Sequence, residues 1–283
     1  MARSHPPTLL TLAQRALTQE CGVGKADCVL LAISGGPDSM CLLQAMAKLR
    51  EKLGFKIIAH GVDHGLRAGA SAELDVAQRL AADLRVPFER SALRLAAGGN
   101  IQHRAREGRY AALTAAALKT GASLIATAHH ADDRAETVLI RLLQGAGPSG
   151  LAVLPARAGN RIRPFIRATR ADILRHIERH RIPYSEDPSN QDRRFLRSQV
   201  RFELLPLMER LSPGAAAHLN ALADALGSPM TLEGKPPPHF GRAQLKALFA
   251  ALEKGQPGPR IRINDRLELF LKRPAAGRTG KNR

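Results

Sequence analysis

The chain has 283 residues, 44% of them apolar, and 43 Lys plus Arg against 25 Asp plus Glu, a formal charge of +18. That length allows one ordinary core with a smaller second domain, and that charge calls for a polyanionic partner, nucleic acid first and an anionic membrane surface second. Cys21, Cys28 and Cys41 form no C-x-x-C pair, which argues against a disulfide scaffold or a zinc site and fits a reducing cytoplasm.

Residues 8–20 read as a short amphipathic helix, and the segment from Met1 to Thr11 lacks the apolar centre of a secretory signal. No apolar run reaches transmembrane length, so a cytoplasmic protein with no membrane partner is expected. Val29-Leu30-Leu31-Ala32-Ile33 is too short for a buried helix and apolar enough for a buried parallel strand. Next comes Ser34-Gly35-Gly36-Pro37-Asp38-Ser39, and then a helix from Met40. The first N–H groups of a helix have no intrahelical acceptor, and the dipole there favours negative charge. Gly35 and Gly36 let the backbone approach an anion, while Ser34 and Ser39 add hydroxyls. The turn therefore reads as a phosphate cradle. It lacks the Gly-Lys-Ser/Thr ending of a Walker loop. A plain capped strand–helix turn is the competing reading.

Phe55 to Val62 reads as a second strand, running into Asp63-His64-Gly65-Leu66-Arg67; a helix over 72–84 and a weaker strand over 87–93 follow. Residues 100–119 form a helix carrying Arg106 and Arg109, and Ser123 to Ala128 a fourth strand. After it, His129-His130-Ala131-Asp132-Asp133-Arg134-Ala135-Glu136-Thr137 opens a helix that stops at Gly145-Ala146-Gly147-Pro148. Strands alternating with helices predict an α/β class with a parallel sheet. The charged motifs all fall at strand C-termini, where open α/β sheets bind ligands.

From Arg157 to Arg210 there are thirteen arginines, seven acids and no lysine. Such a bias favours planar, bidentate contact with phosphates or bases over generic solubility, although several of these side chains read equally well as a solvated helix face. Ser185-Glu186-Asp187-Pro188-Ser189-Asn190 is a turn by composition; Arg193, Arg194, Arg197 and Arg201 follow. Arg197 and Arg201 share a helix face. A helix over 211–226, a proline-rich linker over 227–238, a short helix over 242–253 and a hairpin of 260–263 with 266–271 complete the chain. The tail from Pro274 has a disordered composition. Residues 1–212 thus form the expected catalytic domain and 213–283 a small helix-and-hairpin extension available for RNA.

Asp38, beside the cradle, is the expected Mg²⁺ ligand. Asp133 and Glu136, i and i+3 on an opening helical turn, can hold an ammonium group or take a proton from an amine; capping is the plainer reading for Asp132 and Asp133. His129 can contact phosphate or a leaving group. An arginine, Arg106 or Arg109, can stabilise charge on a transferred phosphate, with only one of the two expected to face the site.

The SGGPDS string after a buried strand resembles the pyrophosphate loop of the N-type ATP pyrophosphatases, the PP-loop superfamily with its Rossmann-like, adenine-nucleotide-hydrolase-like fold. With VDHGLR, AREGRY, AHHADDRAET, LLQGAGPSGL, RPFIRATR and EDPSNQDRRFLRSQVR, the chain over about 29–205 resembles the tRNA(Ile)-lysidine synthase family. It departs from that pattern at Ala128, Arg134 and Ser198, where Gly, Gln and Asn are usual. The resemblance implies an enzyme that binds ATP, Mg²⁺ and L-lysine and adenylates C2 of the wobble cytidine in the CAU anticodon of tRNA(Ile). The lysine ε-amine then attacks C2 to give lysidine, AMP and pyrophosphate. It also implies ATP binding by Ser34, Gly35, Gly36, Pro37, Asp38, Ser39, Asp63 and His64. Catalytic work would fall to Asp38, Arg106, Arg109, His129, Asp133, Glu136, Arg197 and Arg201. A homodimer stays open. The alternatives are a PP-loop tRNA thiolase, which the unpaired cysteines disfavour, and a non-catalytic basic RNA-binding protein, which would not need this set of carboxylates. A small-molecule amide synthetase would leave the +18 charge unexplained.

Overall fold

A computed structural model describes residues 6–63, 70–93, 101–185, 193, 195–227, 260–264 and 267–270, with side chains left out at 70, 101–103 and 260–270. His64, Arg194, the Glu186 to Asn190 turn, the proline-rich linker, the helix expected over 242–253 and the tail from Pro274 lie outside the described residues. The chain divides into two compact units, Met1–Ser228 and Pro229–Arg283. The first extends past the boundary expected at 212.

The first unit holds a six-stranded sheet of order β3-β2-β1-β4-β6-β5. Its strands are β1 (Cys28–Ile33), β2 (Lys56–Asp63), β3 (Phe88–Ala92), β4 (Leu124–Ala126), β5 (Arg157–Ala158) and β6 (Arg161–Ile162). All neighbours pair in parallel except the short β5–β6 hairpin. Four strands fall where the sequence places them. The hairpin has no hydrophobic signature of its own; it exists because β6 adds to β4 by Ile125↔Arg161 and Ala126↔Ile162.

Alternation along β1 explains the layering. Val29, Leu31 and Ile33 face a core shared with α1 (Leu9–Arg15), α2 (Pro37–Leu53), α3 (Ala70–Asp83) and, further along, α7 (Arg170–His180). Leu30 faces the opposite way, onto Leu113, Ala116 and Ala117 of α4 (Ile101–Thr120). Burying a leucine of this kind contributes about 2–3 kcal/mol. A third cluster joins α5 (Ala131–Leu143), α6 (Pro148–Leu151), the helical stretch from α8 (Leu196–Gln199) through a π-helical turn at Val200–Leu204 into α9 (Leu205–Leu211), and α10 (Ala215–Gly227). That cluster packs the arginine-rich segment against the helix that follows β4.

Charge ties α10 to this unit. Asp224 accepts from Arg134 of α5 (2.7 Å) and pairs with Arg167, which also makes a bidentate bond to Glu20. Arg134 also donates to the Val153 carbonyl (2.9 Å). The arginine at the position where glutamine is usual is thus a buried strut between helices. In the second unit, β7 (Arg260–Asn264) pairs antiparallel with β8 (Leu267–Phe270), as the sequence predicts. No helix among the described residues is long and apolar enough to cross a membrane.

Candidate active site

β1 delivers the chain to the Ser34–Ser39 turn at the carboxyl edge of the sheet. Gly35 has φ +86°, and a Cβ there would stand 2.7 Å from the Glu73 carbonyl oxygen of α3, so no other residue fits without displacing backbone. Gly36 caps α2 and Pro37 occupies its first turn. The serine hydroxyls brace the turn. Ser39 Oγ accepts from the Ser34 N–H (3.1 Å), donates to the Gly36 carbonyl (2.9 Å) and lies 3.1 Å from Ser34 Oγ. From the far side, the Ser185 N–H donates to the Gly35 carbonyl (3.0 Å) and docks the end of the α7 connection on the loop. The result is a braced turn at a helix start, and its Ser34, Asp38 and Ser39 line a cavity.

The cavity measures about 320 Å³ and is lined by Ser34, Asp38 and Ser39 on the loop and by Arg106, Arg109, His129, Asp133 and Arg197 opposite. Its apolar walls include Ala32, Val62, Leu74 and Leu113. The five residues facing the loop come from four stretches of chain: α4, the β4–α5 turn, α5 and α8. Asp63 ends β2 but does not line it; its carbonyl holds the Leu93 N–H (2.7 Å) instead. Arg106 and Arg109 both line it, contrary to the expectation that only one would. They are i and i+3 on α4, and both guanidinium groups sit near the Tyr110 ring, 5.3 and 5.6 Å from its centre. Arg161 approaches the same ring at 4.9 Å.

Asp38 carries an unmet valence. Its Oδ1 is buried with no hydrogen-bond partner among the described residues, and Arg170 reaches only within 3.7 Å of Oδ2. Burial raises its pKa, against the pull of His130 and Arg170. An orphaned carboxylate oxygen beside an anion cradle suits a cation bridging protein and phosphate, so the residues present fit Mg²⁺.

Asp133 and Glu136 are the opposite case. Arg197 donates to Asp133 Oδ1 (2.9 Å) and Glu136 Oε2 (3.1 Å). Arg201 donates to Glu136 Oε1 (2.6 Å) and Oε2 (3.0 Å) and to Asp133 Oδ1 (3.2 Å). Glu136 is only 2% exposed, and neither it nor Arg201 lines the cavity. The carboxylate pair expected to hold an ammonium group or take a proton is occupied in this structure by two guanidinium groups. The i, i+3 pair on α5 meets the i, i+4 pair across α8 and its π-helical continuation, which presents Arg197 to the cavity.

His130, which the sequence reading passed over for His129, stands between the two regions. It is 1% exposed, with Nδ1 3.4 Å from Asp132 Oδ2 and Nε2 3.4 Å from Asp133 Oδ2. Burial lowers its pKa, but Asp132, Asp133 and Asp38 outweigh that and the net shift is upward. Asp132 also accepts the Arg170 N–H (2.8 Å), fixing the start of α7. His129 faces the cavity with Nδ1 2.8 Å from Thr127 Oγ1, and burial pushes its pKa down to about 4, leaving a neutral imidazole. The signal for His130 was available: two consecutive histidines before two aspartates at a helix start place one ring inward. His60, a polar residue inside an apolar strand, is a second omission.

The cysteines form no cluster. Cys21 and Cys41 are buried among apolar side chains, and Cys28 lies at the start of β1. Burial pushes the Cys21 thiol up to about 11 and raises the other two, so none is poised as a thiolate.

Comparison with known proteins matches residues 9–208 to the PP-loop domain family. The tRNA(Ile)-lysidine synthase of Ralstonia nicotianae is 40% identical over 72% of this chain and 44% of its own length. That of Thermobifida fusca is 36% identical over 80% of this chain and 70% of its own. The chain spans about half the length of the first curated relatives it matches. Among solved structures, a U34-tRNA thiolase from Methanococcus maripaludis, bearing an iron–sulfur cluster, superimposes with a TM-score of 0.67 at 17% identity, covering 78% of this chain and 80% of that one. That likeness is one of fold.

Proposed function

The chain belongs to the PP-loop family and, within it, to the tRNA(Ile)-lysidine synthases, and from that premise we propose that it joins L-lysine to C2 of the wobble cytidine of tRNA(Ile) with a CAU anticodon. ATP supplies the activation, and AMP and pyrophosphate are released. The observation that carries this reading is that the braced turn, an Asp38 oxygen without a partner among the described residues, and Arg106, Arg109 and Arg197 meet at one cavity. A pure RNA binder has no use for the first two. Buried, protonated thiols count against the thiolase alternative.

On this reading the turn residues Ser34, Gly35, Gly36, Pro37 and Ser39 cradle the phosphates with their backbone N–H groups. Asp38 would hold Mg²⁺, which offsets phosphate charge when bound. Arg106, Arg109 and Arg197 line the path of the transferred adenylyl group and stabilise charge as it develops. His129, which lines the cavity, would contact phosphate or a leaving group. Asp133, the one member of the carboxylate pair that lines the cavity, is the acidic group that an incoming lysine ammonium would meet, by displacing part of its arginine pairing. Glu136 and Arg201 act through their neighbours, holding Arg197 in place. The anticodon loop is single-stranded, so its cytosine enters without breaking a duplex.

The first 212 residues would form the catalytic part, and the region from 213, with its hairpin, would be available for tRNA. A homodimer and a cytoplasmic site are further parts of the proposal. The test is a complete reaction with labelled lysine, ATP, Mg²⁺ and purified tRNA(Ile), followed by nucleoside analysis. Label at the wobble position, dependent on ATP, is the expected result; label-free tRNA from folded protein would refute it.

A further inference from the structure

β2 carries one polar side chain in its buried middle. His60 is 3% exposed, lines the cavity and lies 3.0 Å through Nε2 from Ser91 Oγ of β3. Its Nδ1 is buried and has no hydrogen-bond partner among the described residues. Inverting that ring would lose the serine bond, so the contact leaves Nδ1 as the nitrogen without a partner among the described residues. A buried imidazole nitrogen with no partner costs on the order of 1–3 kcal/mol, a penalty that a ligand bond would remove.

β2 neighbours β1 directly, and Ala32 pairs in register with His60 just before the phosphate loop. Ala32, Val62 and Leu113 are apolar side chains that line the same cavity. A nucleoside triphosphate whose phosphates occupy the loop after β1 places its base over the adjoining strand, among these side chains. We propose that His60 is a specificity-determining residue, its Nδ1 accepting a hydrogen bond from the exocyclic amine of the nucleotide base. In this assignment Nε2 donates its proton to Ser91 Oγ, 3.0 Å away, which leaves the Nδ1 lone pair for the base. The assignment rests on the ATP-dependent reading above and adds to it the group that tells an amino base from an oxo base. Burial keeps the ring neutral, as an acceptor requires.

Equilibrium titration of the full chain with ATP and with inosine triphosphate, which carries an oxo group in place of the amine, tests this. The unmodified chain should bind ATP about tenfold more tightly than the inosine nucleotide, the worth of one hydrogen bond. In His60→Leu the ratio should fall to about one, chiefly through weaker ATP binding. Ser91→Ala, which leaves the imidazole but removes the partner that orients it, should give an intermediate ratio and guards against a His60→Leu chain that does not fold. A ratio unchanged in Ser91→Ala and in folded His60→Leu overturns the assignment while ATP binding stands. No binding of either nucleotide by the unmodified chain would overturn the ATP reading and the assignment together.

Discussion

The two sides of the cavity differ in how their charges are spent. On the loop side, Asp38 keeps an oxygen with no partner among the described residues, and Asp38 and Ser39 of the first turn of α2 line the cavity. On the α5–α8 side, Asp133 and Glu136 share two guanidinium groups through five hydrogen bonds, and Asp133 also takes the His130 N–H (3.1 Å). An unmet buried valence marks where a ligand completes the protein; a satisfied network marks a frame that positions what it touches. His130, between Asp38 and Asp133, joins the two.

Substitutions on the loop side should cost activity without stability. Asp38→Asn should lower turnover by on the order of a thousandfold, the scale of losing one electrostatic group in a reacting site. Its melting temperature should hold or rise, because a desolvated charge is gone. Thermal melts beside single-turnover pyrophosphate release check both halves; a large loss of stability would erase the contrast.

On the other side the order reverses. Glu136→Gln strips a 2% exposed carboxylate from two arginines and should cost about 2–3 kcal/mol, less than a fully buried pair because both guanidinium groups keep some solvent. Denaturant unfolding measures it. Arg197→Ala, at 44% exposure, should cost under about 1 kcal/mol of stability after solvent screening. It should nevertheless lower turnover by roughly a hundredfold, since it is the clamp's offering to the cavity. Arg134→Gln, away from the cavity, should lose about 1 kcal/mol through the Asp224 bond with turnover nearly intact.

The smallest effect sharpens the contrast through pH. Burial alone would raise the Asp132 and Asp133 carboxyls; for Asp132 the His130 and Arg170 N–H bonds, and for Asp133 the His130 and Arg197 charges, hold both below their usual 3.8. A folded pKa below the unfolded one gives stability that is present above pH 3.8 and lost as pH falls through the folded values. Acid unfolding should therefore steepen below about pH 4, and Asp132→Asn should flatten that limb. Asp38, shifted upward, contributes with the opposite sign.

Local patterns account for what the sequence revealed. An apolar run ending in SGGPDS announces a strand, a tight turn and a helix start, because each is a short-range consequence of its own residues. Arg197 and Arg201 on one face followed from spacing. The pairing of that face with Asp133 and Glu136 did not, because it spans more than sixty residues and depends on how α8 packs on α5. The same holds for Asp63, whose place at a strand end suggested the site while the cavity opens beside its neighbour Val62. Arg106 and Arg109 both line the cavity and both lie near the Tyr110 ring, a contact that charge counting does not foresee.

Pyrophosphate release from labelled ATP in a single turnover, with lysine and tRNA(Ile) present, bears most directly on the division between an unfilled loop side and a filled frame. The folded chain should release about one equivalent while folded Asp38→Asn releases almost none. Release by Asp38→Asn at the rate of the unmodified chain would contradict the account.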